Sequence, residues 1–139
     1  SAANKKSQLF SLVETTTKGP EATLPDGHLF HDKEGHGRSE VRLQWWNSAA
    51  STWKEIATSV PDLNQLPDNN LPASIKQSVY PAKSKPVFFG HYWMTGKPVL
   101  QAKNALCLDY SAGRDGPLVS YKFDPKLTSL DLKNLTMHD

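Results

Sequence analysis

Val87-Phe88-Phe89-Gly90-His91-Tyr92-Trp93 is the stretch whose reading decides the fold. Three apolar residues in a row behind Pro86 predict a strand covered on both faces, since a half-solvated strand would alternate apolar with polar. Gly90 permits a sharp turn and delivers the His91 imidazole at the strand end. Strand ends are where ligands and catalytic groups gather in α/β proteins. Downstream lie the runs ALCLDYS (105–111) and LVSYKF (118–123), separated by Gly113-Arg114-Asp115-Gly116. They read as a C-terminal hairpin over 105–123.

Working outward, residues 125–139 carry Leu127, Leu130, Leu132 and Leu135, which predicts a weak amphipathic helix. Upstream, Glu40 to Trp46 alternates, with Val41, Leu43 and Trp45 on one face and Arg42, Gln44 and Trp46 on the other. Period two predicts a strand with Trp45 inward and Trp46 exposed. Thr52 followed by Glu55 is a capping box, and Trp53, Ile56, Ala57 and Val60 predict a helix that runs to Pro61. Pro72 opens a second short helix carrying Ile75 and Val79 four apart. Residues 20–39 read as an irregular loop or a short hairpin around Lys33-Glu34-Gly35. Leu9, Phe10, Leu12 and Val13 mark a short helix or strand near the start. The expected fold class is α+β, with a mixed or mainly antiparallel sheet, short helices and that C-terminal hairpin.

A chain of 139 residues with 37% hydrophobic residues suits one compact globular domain over 1–139, its ends 1–12 and 125–139 peripheral. The formal charge of +2, with basic residues scattered apart from pairs such as Lys5-Lys6, argues neither for nor against a nucleic-acid surface, and no nucleic-acid partner is expected. A single cysteine, Cys107, excludes an internal disulfide. Its apolar run predicts a buried small side chain rather than a reactive thiol. No apolar run reaches membrane-spanning length and no signal peptide is visible, so no membrane partner is expected and the default location is cytoplasmic.

The segments PVFFGHYWMTG and NALCLDYSAGRDGPLVSYKFD, with VETTTKGPEATLPDG, DKEGHGR and VRLQWW upstream, resemble the closing part of bacterial calcineurin-like metallophosphoesterases. These are the serine/threonine phosphatase-like and diadenosine tetraphosphatase-like group. The resemblance runs from about residue 13 to 124. It implies a four-layer α/β sandwich around two divalent metals (manganese, iron or zinc), acting on a phosphoprotein or a nucleotide. Such enzymes hold the metals with Asp-x-His, Gly-Asp-x-x-Asp and Gly-Asn-His-Asp/Glu motifs. That set is missing here. The resemblance therefore implies a preceding half of the same enzyme as partner, a phosphorylated substrate, and a chain that is inactive and binds no metal tightly by itself. The alternative is a self-contained binding or regulatory module without catalytic activity, and a second copy of the chain is the alternative cover for the apolar strand.

By the same resemblance, His91 is a metal ligand. Other branches carry a second histidine two positions later; here that position is Trp93, so the turn offers one ligand. Asp109 has two readings. It orients a metal-bound histidine, or it caps a turn by accepting backbone N–H groups. Arg114 on its turn can face a substrate phosphate or simply be exposed. His36, inside DKEGHGR, is structural or substrate-facing, and the trio His28, His31 and His36 reads first as solvated loop histidines. Trp45, Trp46 and Trp53 fit core packing better than base stacking.

Overall fold

The computed structural model describes residues 8–138, so Lys5-Lys6 lies outside the described residues. The chain divides into two compact units, one up to Val79 and one from Tyr80 onward. Among the described residues no helix is long and apolar enough to cross a membrane.

The first unit opens with α1 (Gln8–Lys18), so the apolar cluster near the start is helical. Gly19, at φ 82°, donates its N–H to the Thr15 carbonyl and closes it. Then come β1 (Glu21–Thr23), β2 (Phe30–His31), β3 (Gly37–Arg38), β4 (Glu40–Leu43), α2 (Trp53–Ile56), β5 (Ala57–Thr58) and α3 (Ala73–Ser78). β1, β4 and β5 form an antiparallel sheet in the order β1-β4-β5, and β2 pairs with β3 as a separate hairpin. The core is built from Leu24, Phe30, Val41, Leu43, Trp53, Ile56, Ala57, Leu66 and Leu71. Each large apolar side chain buried there contributes about 1.5–3 kcal/mol.

Two expectations fail in this unit for local reasons. The alternation of β4 stops at Leu43, and a turn in which Asn47 N–H bonds the Gln44 carbonyl swings the chain round. Trp46 is therefore buried, at 7% exposure, while Trp45 is half-buried and meets it edge to face at 5.3 Å. The capping box is present, with Thr52 and Glu55 bonded reciprocally, but α2 is one turn long. Ala57 is extended and joins β4 as β5, where the Gln44 N–H donates to the Ile56 carbonyl at 2.7 Å.

The second unit contains β6 (Val87–Phe89), β7 (Ala105–Cys107), β8 (Leu118–Tyr121) and β9 (Leu135–His138). β6 and β7 run parallel, with Val87, Phe88 and Phe89 opposite Ala105, Leu106 and Cys107. β8 and β9 pair antiparallel. The C-terminal hairpin exists, but the partner of β8 is the tail strand β9, and β7 belongs to β6. The expected hairpin over 105–123 and the expected tail helix are both replaced. Asp131 caps a single 3-10 turn (Leu132–Asn134), and the chain then extends as β9. β7 is fully buried, whereas all three residues of β6 are half-buried, so β6 is not covered on both faces. Phe88 packs instead against Tyr121 and Phe123, with ring centroids 5.2 and 5.4 Å away.

Candidate functional site

Because β6 and β7 are parallel, their C-terminal ends lie side by side, and the loops leaving them (90–96 and 108–116) meet. Asp109 joins these loops. One carboxylate oxygen accepts the backbone N–H of His91 at 2.8 Å and of Trp93 at 3.3 Å, and the other accepts the Ser111 N–H at 3.1 Å. Ser111 Oγ donates to the Met94 carbonyl, and the Met94 N–H bonds the Asp109 carbonyl.

The backbone held this way is unusual. His91 (φ 68°), Trp93 (φ 50°), Ser111 (φ 63°) and Asp115 (φ 63°) all sit in the left-handed region that favours glycine. Each such residue costs about 1–3 kcal/mol and persists only where its surroundings over-determine it. Charge-assisted bonds to a carboxylate contribute about 1.5–3 kcal/mol each. The three bonds to Asp109 are thus of the same order as the strain at their three left-handed donors, His91, Trp93 and Ser111. Gly116 makes the other close approach: a Cβ there would collide with the Tyr110 carbonyl oxygen.

The result is an exposed loop that presents two side chains, His91 and Trp93, with Tyr92 between them turned inward. Arg114 lies over the Trp93 ring, its guanidinium carbon 4.8 Å from the ring centroid. A cation–π contact of this kind at an exposed site is worth about 0.5–1 kcal/mol. The structure thus brings together His91, Asp109 and Arg114. Asp109 meets His91 through the backbone N–H, which is the turn-capping arrangement. Sequence reasoning overlooked Trp93 and Ser111; the readable signal was the Asp109-Tyr110-Ser111 spacing, which suits an Asx turn. Cys107 is fully buried, and burial pushes its thiol up to about 11, so it is no nucleophile at neutral pH.

His36 lies in the first unit, in the β2–β3 turn. Asp32 there accepts the N–H groups of Glu34 and His36, and its other oxygen is held by Arg38 Nε at 2.8 Å and Nη2 at 2.7 Å. The His36 backbone N–H, then the Arg38 side chain, hold the Asp32 carboxyl at about 2. Among the described residues, Asp32, Glu34 and His36 form the one group of three ligand-type side chains close enough for a metal ion. The Asp32 oxygens are already committed to these donors. His28 and His31 do not join that group. The Gln65 carbonyl lies 2.6 Å from His28 Nε2, which identifies Nε2 as the protonated nitrogen because a carbonyl only accepts. The Gln65 side-chain oxygen accepts the His31 N–H. One Asp-x-His triplet does occur, Asp26-Gly27-His28, which a reading for the metal motifs passes over; its histidine is the one tied to Gln65.

At the strand ends the donor set is one exposed imidazole beside a carboxylate occupied by three backbone N–H groups. By itself that set does not fit a two-ion centre, which needs bridging carboxylates and several imidazoles. No family model, no curated protein and no solved structure matches the chain.

Proposed function

We propose that this chain is the closing segment of a two-metal phosphoesterase and contributes the His91 imidazole as one metal ligand. The observation that carries the reading is the Gly-His turn itself. It stands at the end of a parallel strand pair, in a left-handed backbone conformation held by Asp109. An exposed imidazole fixed there suits a ligand that must meet donors from other elements. When bound, the two ions would lower the pKa of a water and stabilise charge on an attacked phosphate ester. This chain's own part is to fix His91 and, through Asp109, the direction in which the loop leaves the strand. The remaining ligands belong to the elements bearing the motifs missing here, so the chain alone has no hydrolytic activity in this reading.

The test is to express the chain with the coding sequence that precedes it, then measure bound metal and hydrolysis of p-nitrophenyl phosphate. Activity with bound manganese, iron or zinc is expected, with both strongly reduced in His91→Ala. Full activity and metal content in that variant would overturn the ligand role. Metal-independent turnover by the 139-residue chain, or a reading frame that adds no metal motifs, would favour the self-contained binding module.

A further inference from the structure

We propose that Arg114, braced on the ring of Trp93, forms a binding subsite for a phosphate group at the ends of β6 and β7. The inference stands on geometry that the metal reading does not use. Arg114 is exposed, and among the described residues no carboxylate lies within ion-pair distance of it, although Asp115 is its neighbour in sequence. An exposed arginine in a turn ordinarily samples many rotamers. This one rests on an indole, which reduces the freedom it would lose on binding. Its planar donor fork remains available, and such a fork matches two oxygens of a phosphate.

The support beneath it is built as well. Trp93 is 47% exposed yet held by its N–H on the Asp109 carboxylate, in a backbone conformation that costs energy to keep. Arg114 itself sits between Ser111 and Asp115, both left-handed, and its N–H donates to the Ser111 carbonyl at 2.7 Å. Two loops are therefore constrained by one carboxylate so that an indole and a guanidinium stack in the open. A core would bury the indole, and a purely solvated turn would not need the constraint. A dianionic phosphate gains more from a lone cation than a carboxylate does.

The experiment is a titration of the 139-residue chain with inorganic phosphate in the presence of EDTA, followed by NMR at the Trp93 indole N–H, assigned with Trp93→Phe. Its outcome leaves the His91 metal reading untouched, because no metal is present. The Trp93 signal should shift and saturate on the order of millimolar phosphate. Arg114→Gln should weaken binding by about tenfold or more. Arg114→Lys should retain part of it as a point charge. The indole signals of Trp45, Trp46 and Trp53 should stay in place in both variants, showing that the fold persists. A parallel titration with O-phosphoserine separates the sources: tighter binding than orthophosphate marks a substrate ester, weaker binding a released phosphate. The proposal is overturned if the shift does not saturate, if chloride at equal ionic strength or acetate reproduces it, or if Arg114→Gln binds like the parent.

Discussion

Asp109 shows how much one side chain can determine. Its two oxygens receive three backbone N–H groups from two loops, and all three donors are residues in the left-handed region. Asp109→Ala is expected to lower stability by about 2 kcal/mol in urea unfolding. The loss should be local first: amide exchange at His91 and Trp93 should speed up more than in β8 or β9. Equal protection in both proteins would show that the loop keeps its shape without the carboxylate. The residue types at this end of the ribbon were legible in the sequence, since His91, Asp109 and Arg114 all stood out. Their joining was not. A carboxylate that can take either a ring N–H or a backbone N–H is not assigned by spacing. The Arg114–Trp93 stack, in turn, depends on the two strands lying side by side.

Among the elements, the β2–β3 hairpin is a self-contained electrostatic unit. Asp32 is held at about 2, below the ordinary 3.8, by the His36 N–H and the Arg38 side chain. A carboxyl lowered in the folded state stabilises it fully above about pH 4 and ceases to do so as the pH falls toward 2. The His36 and Arg38 amide resonances should therefore move together across that window, and Asp32→Asn should abolish the shared transition. Persistence of the transition in the variant would assign it to another group. The same contrast of range explains what the sequence revealed of the elements. The capping box at Thr52 and Glu55 was readable because its partners lie three residues apart. The pairing of β7 with β6, and of β8 with β9, was not. Period and propensity mark strands, but partners are chosen by packing across the chain. Trp46 defied its alternation because a single turn after Leu43 shifted the phase.

For the molecule as a whole, the division near Val79 sets the terms. Asn104, 1% exposed, ties the start of the second unit down: its side-chain amide donates to the carbonyls of Pro81 at 2.9 Å and Ser84 at 3.0 Å, and its own carbonyl accepts the Val87 N–H. Asn104→Ala should release residues 81–84 and cost about 2 kcal/mol. Trypsin should then cut after Lys83 markedly faster than in the parent, yielding two fragments divided close to the unit boundary. An unchanged rate there would mean that the segment is held by something other than Asn104. A different consequence follows from the parallel pairing of β6 with β7. Parallel neighbours need a crossover, usually a helix, yet residues 90–104 contain no helix. The crossover has no ladder of its own and is fastened by residues that follow it: Tyr110 Oη accepts the Val99 N–H, the Cys107 N–H donates to the Gln101 side chain, and Asp109 accepts the N–H groups of His91 and Trp93. On a ribosome, β6 emerges long before these partners exist. β6 has no strand partner until Ala105–Cys107 has left the exit tunnel. Pairing β6 with β7 therefore has to close the loop between them before it gains any ladder bond, which places it among the non-local contacts that slow folding.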